Sequence, residues 1–256
     1  MVKDERHSLR WAGKVEVELP AVGKRHLRGV GHGQRIRSYT PGMPADCCKP
    51  DYDVHFDAES ARKDLLGYRQ DGPDGSTQRL LDVLIAQGIA DATVLDIGGG
   101  IGAVQLELLA AGAARSLDVD ASASFLAVAE SEATERGFGD RTAYRHGDFV
   151  ELADEIEPAD VVTLDRVICC YPDVHSLVRR SAARARRLYG LVYPVDRWWT
   201  RSVARLMNFL DRVGRSDYRM HVHSQALVDR LIREAGLEPV YHHAGKVWQT
   251  AVYARV

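Results

Sequence analysis

The sequence predicts an α/β protein: a doubly wound, mostly parallel sheet of seven strands that ends in an antiparallel hairpin. Three observations carry this expectation. From residue 93 onward, short apolar runs alternate with helical segments, the pattern of a parallel sheet covered on both faces. The first such run, TVLDI, passes into the glycine cluster GGGIG at 98–102 and then into VQLELLAAG, a strand, a tight turn and a helix. The last two runs, LEPVYHHA and VWQTAVYARV, are separated by Gly245 and Lys246, which reads as a hairpin turn.

Before the alternation begins, DAESARKDLLGYRQDG predicts a helix capped by Asp57. DGSTQRLLDVLIAQG predicts a second, with Leu80, Leu81, Leu84 and Ile85 on one face and Gly88 near its end. ARSLDVD is then a strand, and ASASFLAVAESEATERG a helix capped by Ser122 and stopped by Gly137. RTAYRHGD and DVVTLD are strands, HSLVRRSAARARR a helix, and LYGLVYP a strand. RWWTRSVARLMNFLDRV and SQALVDRLIREAG are helices, the second with Ser224 as its N-cap. The expected organisation is a flexible basic tail over 1–44, a helical lid over 45–90 and the main α/β domain over 91–256. Glycine and proline punctuate GVGHGQRIRSYTPGMP in the tail, although KVEVEL at 14–19 alternates as a short strand would.

Bulk properties narrow the class. A chain of 256 residues with 45% hydrophobic and 27% charged residues suits one soluble domain with an appendage. A net charge of −2 argues against a surface built throughout for nucleic acid. The start, MVKDERHSLR, has no apolar h-region, and no uninterrupted apolar segment is long enough to cross a bilayer. A cytoplasmic address is expected. The four cysteines form adjacent pairs, Cys47–Cys48 and Cys169–Cys170. Adjacent side chains diverge, whereas zinc sites space their cysteines by two to four residues, so no metal is expected.

Glycines without Cβ atoms let a ligand approach the backbone, but the spacing Gly98, Gly100, Ala103 also fits a dinucleotide fingerprint. Neighbouring acids discriminate. Asp96, two residues before the first glycine, suits a ligand with a cationic amino or sulfonium group and repels a pyrophosphate. Asp120 ends the second strand about twenty residues after the glycines, where an acid accepts from both ribose hydroxyls. In HGDF, Asp148 can accept from an exocyclic adenine amine while the Phe149 backbone meets the ring edge.

This order of acid, glycine loop, acid, acid resembles the class I S-adenosylmethionine-dependent methyltransferases. D-I-G-G-G-I-G at 96–102 matches their first motif, D/E-x-G-x-G-x-G, Asp120 their ribose acid and Asp148 their adenine acid. The resemblance runs over residues 57 to 256 and implies a Rossmann-like methyltransferase fold with S-adenosylmethionine as cofactor. The implied cofactor residues are Asp96, Gly98, Gly99, Gly100, Ile101, Gly102, Asp120, Ala121, Asp148, Phe149 and Asp165.

For the acceptor, LDRVICCYPD after the fourth strand lacks the N/D-P-P-Y/F tetrapeptide of amino-methylating nucleic-acid enzymes and the Pro-Cys nucleophile of cytosine C5 chemistry. It is locally similar to the L-D-x-x-I-H-Y-P stretch of magnesium-protoporphyrin O-methyltransferases. Cysteine here replaces the histidine and the spacing is one residue longer. Tyr68, Arg166, Cys169, Cys170, Arg197 and Trp198 are candidate acceptor contacts, with Tyr171, His221 and His223 as catalytic candidates; histidine is the usual base near neutral pH. Trp199, Val203, Leu206, Leu210 and Val213 recur at helical spacing. They read either as core or as a rim over a large apolar acceptor near a membrane surface. Arginines outnumber acids between His175 and Met220, which favours an anionic acceptor such as a carboxylate or phosphate ester. The expected activity is methyl transfer to an O, N or C nucleophile of a small or medium-sized organic molecule. Two alternatives stand beside it: a nicotinamide-dependent oxidoreductase, against which the absence of Y-x-x-x-K counts, and a sensor or scaffold that binds the cofactor without turnover.

Overall fold

The computed structural model describes residues 56–213 and 218–256. The expectations for the 1–44 tail, the strand at 14–19, the Cys47–Cys48 pair and the first residues of the 45–90 segment lie outside the described residues.

Two helices come first, α1 (Ala58–Asp71) and α2 (Gly75–Ala86). Each starts where an aspartate accepts the orphan N–H groups of the first turn: Asp57 from Ser60, Asp74 from Ser76 and Thr77. The α/β alternation follows as β1 (Thr93–Ile97), α3 (Ala103–Ala110), β2 (Arg115–Asp120), α4 (Ala123–Glu135), β3 (Thr142–His146), the single turn α5 (Phe149–Leu152) and β4 (Ala159–Asp165). It continues through α6 (Val174–Arg184), β5 (Ala185–Pro194), α7 (Trp198–Val213) and α8 (Gln225–Glu234) to β6 (Leu237–Ala244) and β7 (Trp248–Arg255).

The seven strands form one sheet in the order β3-β2-β1-β4-β5-β7-β6. The first five are parallel to one another, and β7 runs antiparallel between β5 and β6. The final hairpin therefore does more than extend the sheet. Its second strand inserts inside the first, and β6 becomes the edge.

Strand residues alternate between two cores, as the pleat requires. Leu95, Val162, Leu164, Tyr189 and Leu191 face α6 and α8 through Leu177, Val178, Leu231 and Ile232. Val94, Val161, Leu188, Val192 and Val252 face α2 and α3 through Leu80, Leu84, Val104 and Leu108. Gly190 sits where a Cβ would stand 2.6 Å from Leu80, so α2 lies close on the sheet. A third cluster joins α1 to α4 through Ala61, Phe125 and Ala133.

Two local expectations need correction. The helix expected to run to Arg187 ends at Arg184, and β5 begins at Ala185. No glycine stops it; Ala185 already pairs with Ala159, ahead of a bulge. Ser224 occupies the N-cap of α8 but makes no side-chain capping bond.

Candidate active site

The parallel register brings the carboxyl ends of β1, β2 and β4 to one side and sets Asp96 beside Asp118 and Thr163. After β1 the chain turns through Gly98, Gly100 and Gly102 at φ 64°, 60° and 79°, a left-handed region that costs other residues about 1–2 kcal/mol each. Period-two alternation puts Asp118 and Asp120 on one side of β2, and both hold the turn. Gly99 donates its N–H to Asp118 at 3.2 Å and Gly100 donates to Asp120 at 3.0 Å. A Cβ on Gly99 would stand 2.6 Å from the Asp118 carboxylate, so that turn closes only on glycine.

A cavity of about 680 Å³ opens above the turn, within the ~300–1,000 Å³ usual for small-molecule sites. Gly98, Gly100, Asp120, Ala121, Asp148 and Phe149 form one end of its wall, and Asp165 and Arg166 stand at the tip of β4. Asp120 accepts from the N–H of Ser122 at 2.8 Å besides that of Gly100. Asp148 caps α5 through Val150 and receives the Tyr171 hydroxyl at 2.9 Å. Asp165 accepts from the Thr77 hydroxyl at 2.5 Å through one oxygen, and its other oxygen has no hydrogen-bond partner.

Burial raises the pKa of Asp96, Asp118 and Asp120, and the neighbouring carboxylates push Asp96 and Asp118 up further. Burial also lifts Asp165 to about 7, with the charge of Asp96 adding to it. Asp96 lies beneath the turn at 1% exposure, one oxygen accepting from Thr163 at 2.7 Å and the other unpartnered. Bare peptide at Gly98 and Gly100, two strand-tip carboxylates on the wall and an unmatched buried carboxylate oxygen below fit a ligand with hydroxyls, an amine and a positive charge.

Asp96, Gly99, Ile101 and Gly102 are not on the cavity wall itself. Ile101 packs into the α1–α4 cluster and Gly102 begins α3; these residues shape the turn from behind. Tyr68 also lies away from the cavity. Its hydroxyl donates to Glu107 at 2.5 Å and accepts from Arg136 at 2.9 Å, and Arg69 and Arg136 both bind Glu132, which fastens α1 to α4. Arg197 is exposed and Trp198 is 79% exposed, off the wall, while the next residues, Trp199 and Thr200, line it. His221 and His223 are off the wall as well. The His221 N–H bonds to the Cys169 carbonyl at 2.7 Å and the His223 ring meets the Ile168 carbonyl at 2.8 Å. The pair thus tie residues 221–223 to the loop after β4, and burial lowers both of their pKa values.

Cys169 and Cys170 do line the cavity, their sulfurs 3.6 Å apart and Cys170 2.9 Å from the Tyr218 hydroxyl. Mutual hydrogen bonding lowers the Cys170 thiol pKa and raises that of Cys169. Arg166, at φ 61°, pairs with Asp74, lies over the Trp248 ring and donates to Ser76 and Thr77. Its charge is thereby spent within the protein. Sequence reasoning missed Asp118, although the alternation in LDVD puts it beside Asp120. It also missed Phe56, Asp64, Tyr218 and Trp248, which reach the wall only through tertiary folding. Among the described residues, no three His, Cys, Asp or Glu are grouped to hold a metal ion.

Strand order, glycine turn and strand-tip acids define a Rossmann-like ligand-binding domain. Residues 94–188 match the model of a methyltransferase-domain family. No curated protein matches the chain. Among solved structures, magnesium protoporphyrin IX methyltransferase from Synechocystis, with bound S-adenosylhomocysteine, is similar at 17% identity and a TM-score of 0.60, over 80% of this chain and 100% of that one. An O-methyltransferase family protein from Burkholderia thailandensis aligns at 16% identity and 0.62, over 80% and 63%. An O-methyltransferase family 2 protein from Planctomyces limnophilus, in complex with apigenin, aligns at 18% and 0.58, over 78% and 62%. At such identities these likenesses bear on the fold. Residues 94–188 are thus similar to a methyltransferase domain, and the seven-stranded sheet has the Rossmann-like fold of the methyltransferases it resembles.

Proposed function

We propose that the protein methylates an oxygen or nitrogen of a largely apolar, ring-containing organic molecule, with Asp165 as the proton acceptor. One observation carries this reading. Besides the strand-tip acids, the cavity is lined by Trp199, Val203, Met207, Met220 and Trp248, which favours flat apolar matter. Among the described residues, the only cation on the wall is Arg166, already paired with Asp74, so an anionic acceptor finds no unmatched guanidinium there.

In this reading Asp120 accepts from the ribose hydroxyls, Asp148 and the Phe149 backbone hold the adenine edge, and Ala121 and Gly98 give close backbone approach. Bound S-adenosylmethionine supplies an activated methyl on a sulfonium. The protein's work is to align an acceptor behind that methyl and exclude water. Asp165, held by Thr77 through one oxygen and with the other free of hydrogen bonds, 3.8 Å from Arg166 Nε, takes the proton that the acceptor O–H or N–H loses. Its pKa of about 7 is matched to that task near neutral pH. The histidines, absent from the wall, have no such access.

The test is incubation of the protein and methyl-deuterated S-adenosylmethionine with metabolites extracted into organic solvent. Mass spectrometry should find the deuterated methyl on ring-containing molecules of the apolar fraction. Label found only in the aqueous, highly charged fraction would contradict the proposal.

A further inference from the structure

Helix α7 departs from the usual arrangement in which a helix of a globular protein turns its apolar side inward. Its buried residues are Thr200 and Ala204. Trp198 at 79%, Val213 at 68%, Phe209 at 61% and Leu206 and Leu210 at 59% stand in solvent. At about 3.6 residues per turn, Trp198, Phe209, Val213, Leu206 and Leu210 fall on one arc, in which Ser202 is the single polar residue. That arc runs without a polar interruption into Trp199, Val203 and Met207, which line the cavity. Arg201, Arg205 and Arg212 share the opposite flank, next to Trp198 and Phe209. Soluble proteins rarely leave so large a contiguous apolar patch exposed.

We propose that the outer face of α7 docks on an anionic membrane surface, from which an apolar acceptor enters the cavity beneath the same helix. This rests on the reading of the cavity as an apolar acceptor site. Bulky apolar residues on one face with arginines beside them are the composition of helices that lie in the plane of a lipid interface. Arg205 and Arg212 meet anionic headgroups, Arg201 being paired with Asp196 at 2.6 Å, while the aromatic residues reach the acyl boundary. Charge disfavours a second copy of the chain as the occupant. A twofold interface would repeat the arginine flank on both sides, and the helix offers a single acid, Asp211, which falls on the side of the buried Ala204. Among the described residues no helix is long and apolar enough to cross a membrane, so α7 lies on the surface.

The experiment is co-sedimentation of the full chain with vesicles of phosphatidylcholine containing roughly one-third phosphatidylglycerol, against vesicles of phosphatidylcholine alone. Binding to the anionic vesicles should exceed that to the neutral ones at least about tenfold and should weaken as salt is raised. Arg205→Gln with Arg212→Gln should weaken it about 25-fold, roughly fivefold for each charge. Phe209→Glu with Val213→Glu should weaken it at least about tenfold, while cofactor affinity and melting temperature stay unchanged. Trp198→Gln, at the most exposed large apolar residue of the helix, repeats the test should the double variant melt early.

Equal binding to both vesicles, no binding at all, or variants that bind as the wild type would overturn the proposal. So would a dimer in sedimentation equilibrium that Phe209→Glu with Val213→Glu dissolves, because the face would then belong to a second copy. The assay needs neither cofactor nor acceptor. Its failure leaves the cavity's chemistry standing, and failure of the methylation assay leaves vesicle binding as an independent result.

Discussion

Gly98→Ala probes the glycine turn on which one end of the cavity is built. Gly98 holds φ at 64°, which costs an L side chain about 1–2 kcal/mol. The new Cβ would also stand 2.6 Å and 3.2 Å from the two methyl groups of Val167. A β-branched side chain is stiff at χ1, so relieving that overlap adds about 1–3 kcal/mol. Together the variant should lose about 2–5 kcal/mol. The two costs can be separated. Val167→Ala removes both offending methyls and leaves its own Cβ at 3.5 Å, an ordinary contact. Urea unfolding of wild type, both single variants and the double variant should show the double more stable than the summed losses by about 1–3 kcal/mol, with m unchanged. Additivity within about 0.5 kcal/mol would mean that Val167 does not crowd Gly98, and the close packing of the turn against the loop after β4 would be refuted.

Other outcomes follow from the same geometry. For Asp165, a raised carboxylate pKa means that the base is absent below about 7 and present above it. The rate of methyl transfer should therefore rise with pH through an inflection at or below that value, since a bound sulfonium favours the ionised form. Asp165→Asn should remove the inflection and lower kcat about 10²–10⁴-fold; an unchanged profile would exclude Asp165 as the base. His223→Ala should cost about 0.5–1.5 kcal/mol of stability through the lost bond to Ile168 and leave the pH profile intact, whereas loss of a limb of that profile would return the histidine to the chemistry. Tyr171→Phe removes the hydroxyl that Asp148 accepts and should weaken cofactor binding roughly two- to twelvefold with kcat nearly unchanged. A collapse of kcat with binding intact would put Tyr171 at the acceptor.

The fold was legible because its signals are local. LDVD and DVVTLD end in acids and TVLDI carries one next to its end, and the left-handed turn needs the glycines that announce it. The glycine-turn end of the cavity was legible for the same reason, since Asp120, Ala121, Asp148 and Phe149, which line it, stand at or just after the ends of their strands. The acceptor end depends on what distant segments bring. The cavity takes Trp199 rather than Trp198 because α7 is set on the fold by Thr200 and Ala204, which no helical pattern of large apolar residues reveals. The exposed stripe on α7 has the same periodicity as a core stripe, so spacing alone could not decide which side faces protein. Arg166 read as a cation available to a substrate because Asp74, more than ninety residues earlier, was not seen as its partner. His221 and His223 looked like a base pair, yet their ring and backbone bonds go to the loop of Ile168 and Cys169.

The most direct test of the account is calorimetric titration of S-adenosylmethionine into wild type and Asp120→Ala. The wild type should bind at a single saturable site. The variant, folded by circular dichroism, should bind at least about a hundredfold more weakly, since two charged hydrogen bonds at about 1.5–3 kcal/mol each are lost. Equal affinity in the two proteins would contradict the placement of the cofactor above the glycine turn.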